Sequence, residues 1–177
     1  MTVSDEQMRR AAQVRLMIFD VDGVLTDGSL HYGPDGEMMK TFNVNDGLGI
    51  KLLQESGVQT AIISARRSSI VTRRAADLGI DHVHQGGHDK LTPFHNLLAA
   101  TGLTAAQCGF IGDDVVDLPI LSRVGFAVGV PNGCEEVLRG AHYVTRAAGG
   151  HGAVREVCEL LLHAQGNYAR VMAQFLA

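Results

Sequence analysis

Ile18-Phe19-Asp20-Val21-Asp22-Gly23-Val24-Leu25-Thr26-Asp27-Gly28 decides how this chain is read. The apolar run Leu16–Phe19 that leads into it has the length and character of a buried parallel strand, and it empties directly into carboxylates. Asp20 and Asp22 stand two apart, so at a strand exit both reach one pocket. Carboxylates that close repel each other, and a hard divalent cation is the usual means of offsetting the repulsion. Outward from this run, short β-branched stretches alternate with amphipathic ones. Strands are expected at 16–19, 59–63, 82–83, 109–111 and 125–128, and helices at 48–55, 68–78, 90–100, 115–122, 134–138 and 152–163. Such alternation predicts an α/β fold, a Rossmann-like and mostly parallel sheet flanked by helices. Gly57 and Gly79 each follow an amphipathic run and suit the left-handed position that ends a helix.

One segment interrupts the alternation. Residues 29–42 carry two short runs around Gly33-Pro34-Asp35-Gly36, a turn sequence, and read as a β-hairpin. It leaves the carboxyl end of the first strand, where open α/β sheets bind ligands, so it forms a flap over that edge. With no linker, repeat or low-complexity tract, residues 1–177 read as a single domain, closed by a helix and tail over 152–177.

Composition narrows the function classes. At 177 residues with 46% hydrophobic and 19% charged side chains, the chain can bury a full core and is not disordered. A formal charge of −4 argues against a nucleic-acid partner, and no apolar run has the roughly 18 to 20 residues of a membrane span. Residues 1–15 are polar and lack the apolar stretch of a secretory signal. Cys108, Cys134 and Cys158 are odd in number and sit among apolar residues, as reduced packing residues do. A cytoplasmic location is expected.

Chemistry-bearing residues recur at each later strand exit or helix start. The second sheet strand ends in Ile62-Ile63-Ser64-Ala65-Arg66, with a hydroxyl at the same edge as the first carboxylates. Lys90 follows the Gly86-Gly87 turn at the head of a helix. Phe110-Ile111-Gly112-Asp113-Asp114 brings a second acidic cluster, with Asp117 one helical turn on. A paired acid, a hydroxyl, a lysine and another acid, each at an element end and in order along the chain, form a strong signal of one reactive site.

This order resembles the haloacid dehalogenase superfamily over nearly the whole chain. Asp20–Gly28, Asn45-Asp46-Gly47-Leu48-Gly49-Ile50 and Gly149-Gly150-His151-Gly152-Ala153-Val154-Arg155-Glu156 are similar to the 3-deoxy-D-manno-octulosonate 8-phosphate phosphatase family. That resemblance implies Mg²⁺-dependent hydrolysis of a phosphorylated sugar acid to Kdo (3-deoxy-D-manno-octulosonate) and phosphate, for lipopolysaccharide precursors. It also implies a minimal hairpin cap and a homotetramer in which neighbouring subunits complete the site. Asp20 matches the nucleophile and Asp22 the acid that protonates the leaving oxygen and then activates water. Mg²⁺ would be held by the Asp20 carboxylate, the Asp22 backbone carbonyl and Asp113, while Ser64 and Lys90 match the phosphate-holding hydroxyl and ammonium. Asp114 and Asp117 are read as anchors for Lys90 or for metal-bound water.

Substrate choice needs a cation for the sugar's carboxylate, and Arg66 beside Ser64 is the candidate. Related acylneuraminate 9-phosphate phosphatases carry Glu there, which favours Kdo 8-phosphate. Asp46 and Asn43 are candidates for sugar hydroxyls, with Asp46 equally suited to capping the following helix. Arg155 either reaches a neighbouring subunit's site or pairs with Glu156 or Glu159. Two departures from the family pattern are Ala65, where glycine is usual, and the Val130-Pro131-Asn132-Gly133 loop.

Other readings fit less well. His82, His84 and His88 lack the fourth donor of a tetrahedral zinc site. The 149–152 glycines lack the Gly-Lys-Ser/Thr ending of a phosphate loop. A phospho-acceptor receiver domain would place its acceptor Asp after the third strand, whereas here the paired acids come first. A non-catalytic oligomerisation domain has no physical need for Asp20, Asp22, Ser64, Lys90 and Asp113 together.

Overall fold

The computed structural model describes residues 3–176. Its first element, which was not among those expected, is helix α1 (Asp5–Ala12). A capping box starts it: Gln7 N–H donates to Ser4 Oγ at 3.3 Å, and Ser4 N–H donates to Gln7 Oε1 at 2.9 Å. Strand β1 (Leu16–Phe19) follows, then the hairpin β2 (His31–Gly33) and β3 (Gly36–Met39), shorter than the expected flap but on the same turn. Helix α2 (Val44–Glu55) begins four residues before the expected start, because Asn43 caps it by accepting from Asn45 N–H at 2.8 Å.

Four more repeats of the alternation complete the chain. They are β4 (Gln59–Ser64) and α3 (Ser69–Leu78), β5 (His82–Gln85) and α4 (Leu91–Thr101), β6 (Cys108–Gly112) and α5 (Leu118–Leu121), then β7 (Phe126–Gly129) and α6 (Glu135–Gly140). A two-residue strand β8 (Tyr143–Val144), helix α7 (Ala153–Ala164) and helix α8 (Tyr168–Met172) close it. Neither β8 nor α8 shows a sequence period, since each is too short to carry one. Gly57 and Gly79 have φ of +96° and +68°, the left-handed helix ends that the sequence implied.

The large sheet runs β5-β4-β1-β6-β7-β8 with every pairing parallel. In chain order this is a doubly wound sheet whose direction reverses between β1 and β6. β1 lies at that reversal and is buried on both faces. Met17 and Phe19 pack with α2 and α7 residues such as Leu53 and Val157, while Leu16 and Ile18 pack with Phe94 of α4 and Ile120 of α5. Side chains buried this fully each contribute about 1.5–3 kcal/mol relative to exposure, which fixes the strand end that carries Asp20. Cys108 and Cys158 are buried as expected, whereas Cys134 is half-buried, because it stands at the start of α6 rather than in a layer.

Candidate active site

β1 and β6 pair in register, Phe19 beside Ile111, so the residues after them leave the sheet together at the reversal. Asp20 N–H still donates to Ile111 O at 3.1 Å, which extends the ladder one residue and pins the first carboxylate. The chain then turns at Gly23, whose φ of +89° and position 2.0 Å from Asp113 Oδ2, measured from where a Cβ would stand, admit only glycine. Oxygens of Asp20, Asp113 and Asp117 lie within 4.8 Å of one another.

Lys90, at the head of α4, enters this cluster. Its Nζ donates to Asp20 Oδ1 at 2.8 Å and to Asp117 Oδ1 at 2.5 Å, and its side chain is 1% exposed. Burial works against the ammonium, but the two carboxylates outweigh it and raise the Lys90 pKa. Asp117 spends its other oxygen on the N–H groups of Asp113 (3.0 Å) and Asp114 (3.3 Å), so it anchors both Lys90 and the loop carrying Asp113. Asp114 accepts from Val115 N–H at 2.7 Å, capping the short turn after β6, and it also lines the cavity that the other carboxylates border. One lysine does not balance this much anionic charge. Burial and the Asp117 charge push Asp20 up to about 8, and burial, Asp117 and Asp114 push Asp113 up to about 7. Hard oxygen donors crowded until they resist ionisation fit a divalent cation such as Mg²⁺.

Asp20, Asp22, Ser64, Arg66, Lys90 and Asp113 line one cavity of about 260 Å³, with His88 on its wall. Ala65 has no positive φ, so alanine costs nothing where glycine is usual. The flap is joined to this cavity by side chains. Lys40, just after β3, donates to the Asp22 carboxylate and lies 3.1 Å from Glu37 Oε1. Glu37 accepts from Ser68 Oγ, and Arg66 donates to Tyr32 Oη while its Nε lies 3.7 Å from Asp22 Oδ2.

Comparison with known proteins places the whole chain in a family. Residues 78–157 match the haloacid dehalogenase-like hydrolase family. The chain is 48% identical to 3-deoxy-D-manno-octulosonate 8-phosphate phosphatase KdsC of Yersinia pestis, over 92% of this chain and 87% of that one. It is 44% identical to the KdsC phosphatase of Escherichia coli, over 97% and 92%. The chain belongs to the 3-deoxy-D-manno-octulosonate 8-phosphate phosphatase family. A crystal structure of the Moraxella catarrhalis phosphatase with magnesium, phosphate and Kdo superposes with a TM-score of 0.94, at 45% identity, covering 97% of this chain and 98% of that one. Like these relatives, this family member is a phosphomonoester hydrolase.

Three expected substrate residues of this phosphatase stand outside the cavity. Asp46 is not the cap of its own helix, a role that Asn43 takes. It is 1% exposed, and its Oδ1 accepts from Arg155 N–H at 2.7 Å, so it caps α7 from within α2. Asn43 is the α2 cap and also reaches Gly150 O at 3.4 Å. Arg155 pairs with Glu159 at 2.6 Å, whereas Glu156 serves Tyr143 and the Arg146 backbone. These contacts join α2 to α7. The unusual loop after β7 has a role as well: Asn132 Nδ2 donates to Gly23 O at 2.9 Å, and its Oδ1 accepts from Gly149 N–H at 2.8 Å. Gly149 sits so close to Gly23 O that a Cβ would stand 1.8 Å away. The glycines of 149–152 thus brace the turn after Asp20 rather than hold a ligand.

Sequence reasoning missed Lys40, Glu37, Tyr32, Asn132 and the wall position of His88. A signal for Lys40 was available. The chain has three lysines against twelve arginines, and Lys40 is the sole Lys or Arg within 29–42.

Proposed function

We propose that the protein hydrolyses 3-deoxy-D-manno-octulosonate 8-phosphate to Kdo and inorganic phosphate through an aspartyl-phosphate. One observation carries the reading: Asp20, Asp22, Ser64, Lys90 and Asp113 line a single cavity at the reversal of the sheet. An Asp20 oxygen attacks phosphorus, the bond from phosphorus to the sugar oxygen breaks, and that oxygen takes a proton from Asp22. Water then attacks the phosphorus, gives a proton to Asp22 and frees Asp20 with release of phosphate. Lys90 and Ser64 hold phosphoryl oxygens in line. Mg²⁺ bound by the Asp20 carboxylate, the Asp22 carbonyl and Asp113 would supply charge neutralisation for the phosphoryl group.

Arg66 stands on the flap side of the cavity, where its planar fork suits the sugar's carboxylate. A homotetramer fits the exposed apolar side chains Leu30, Tyr32, Met38 and Met39 of the flap and Val44 and Leu48 of α2, which border this side. Free cysteines, and the absence among the described residues of a helix long and apolar enough to cross a membrane, accord with a cytoplasmic step toward lipopolysaccharide. The test is phosphate release from Kdo 8-phosphate, an acylneuraminate 9-phosphate and p-nitrophenyl phosphate, with and without Mg²⁺. Preference for Kdo 8-phosphate is expected. Turnover of the aryl ester alone would overturn the substrate, and inertness to all three would overturn the activity.

A further inference from the structure

Lys40 has no part in the chemistry described so far, yet its surroundings are those of a working residue. A lysine is rarely withdrawn from water without a purpose, because its ammonium is strongly hydrated. Here the Lys40 side chain is 1% exposed. Its Nζ contacts Asp22 Oδ1 and lies 3.1 Å from Glu37 Oε1, and Glu37 is in turn held by Ser68 Oγ at the head of α3. The chain Ser68–Glu37–Lys40–Asp22 therefore runs from the head of α3 through the flap and ends on the candidate proton-transfer group. Among the described residues the other cation paired with Asp22 is Arg66, whose Nε stands farther off, 3.7 Å from the second oxygen, on a side chain that is 41% exposed.

We infer that Lys40 is a positioning residue for proton transfer, fixing the Asp22 carboxylate so that Oδ2 meets the oxygen leaving phosphorus. A proton donor acts only when its rotamer is held, and a third group commonly holds it. Lys40 occupies Oδ1 and leaves Oδ2 as the exchanging oxygen. This gives the flap a second role besides covering the sugar. It carries a cationic strut for Asp22, so opening the flap and disarming the acid are one event. The inference rests on the phosphatase reading above.

The test exploits leaving groups. A sugar alkoxide needs the Asp22 proton as it departs, whereas p-nitrophenolate leaves as a stable anion. Rapid-quench measurement of the first turnover reads bond cleavage apart from hydrolysis of the phosphoenzyme. Lys40→Met is expected to slow Kdo release from Kdo 8-phosphate roughly 10²-fold while slowing the p-nitrophenolate burst by less than about 3-fold, since general acid catalysis contributes at least that much. KM for the sugar phosphate should move far less than kcat. Lys40→Arg, which keeps the cation, should recover most of the sugar-phosphate rate. Equal losses on both esters, or no loss, would overturn the inference and leave Lys40 as a flap fastener. Glu37→Gln covers the case in which Lys40→Met does not fold. It keeps the Ser68 contact but loosens Lys40, and it should slow the sugar phosphate alone, so an unselective effect there also overturns the inference. Wild-type protein inert to both esters would instead sink the phosphatase reading, and the inference with it.

Discussion

The carboxylate cluster at the β1–β6 reversal and the flap beside it are both built from ion pairs, but on different principles. In the cluster every group is fixed by the sheet. Asp20 continues a β ladder, Lys90 starts a helix, and Asp117 is wholly buried and holds two backbone N–H groups. In the flap, the contacts join side chains on a hairpin that does not pair with the large sheet, and Arg66 and Tyr32 remain well exposed. The first arrangement can hold a reacting phosphoryl group to a fraction of an ångström. The second can be rebuilt without disturbing the core. On the proposed reading the rigid region holds the phosphoryl group and the adaptable one selects the substrate, with Lys40 linking the flap to the chemistry.

Asp20→Asn gives the largest expected effect and tests the rigid half directly. Asn keeps the oxygen that accepts from Lys90, so the fold should survive with an unchanged circular-dichroism spectrum. Its amide is no nucleophile, and turnover should fall by at least about 10⁴-fold, as for other unitary catalytic groups. Activity within tenfold of wild type would place the chemistry elsewhere. Lys90→Met comes next. It strands Asp20 and Asp117 in a buried site without their cation, and breaking such a pair costs about 3–5 kcal/mol. For a chain of this length the melting temperature should drop by roughly 10 °C, with turnover lost as well. A stable but inactive Lys90→Met would mean that the lysine serves phosphate alone and not the architecture.

The rigid half was also the legible half. Buried parallel strands announce themselves as apolar runs, and their exits must carry whatever chemistry the fold performs. Asp20, Ser64, Lys90 and Asp113 were therefore found by position, and the sheet brings them together. The flap network follows no period. Tyr32, Glu37 and Lys40 reach Arg66, Ser68 and Asp22 because of where a twisted hairpin happens to lean, a property of tertiary packing rather than of local sequence. Asp46 misled for a similar reason. An Asp in the first turn of a helix ordinarily serves that helix, whereas this one turns inward to cap α7, a partner 109 residues away. Helix α1 was different, since its Ser4-x-x-Gln7 signature was present to be read.

Arg66 tests the adaptable half. Arg66→Ala removes a guanidinium from the cavity wall without touching the sheet. If it pairs with the sugar's carboxylate, KM for Kdo 8-phosphate should rise about 10- to 100-fold, the range of a hydrogen-bonded charge, at roughly constant kcat. Turnover of p-nitrophenyl phosphate, which has no such carboxylate, should change by less than about 3-fold. A parallel loss on both esters would place Arg66 with the catalytic group and erase the division between the two regions.

The smallest effect concerns what completes the rigid half. Without metal, Asp20 and Asp113 hold their protons up to about pH 8 and 7, whereas in the unfolded chain both ionise near 3.8. Between those limits the folded state binds more protons than the unfolded one, so its stability falls as pH rises. The contribution is complete below about pH 4 and is lost by the time the pH passes the folded values. A divalent cation binds the ionised carboxylates and reverses that trend, because ligand affinity for the folded state adds directly to its stability. Thermal scans in chelator against millimolar Mg²⁺ should differ by about 3–6 °C near pH 8.5 and by less than about 1 °C near pH 5, with the chelated protein itself more stable at the lower pH. A Mg²⁺ shift that is equal at both pH values would show that the cation binds away from Asp20 and Asp113. The crowding of carboxylates at the reversal would then be relieved by Lys90 alone.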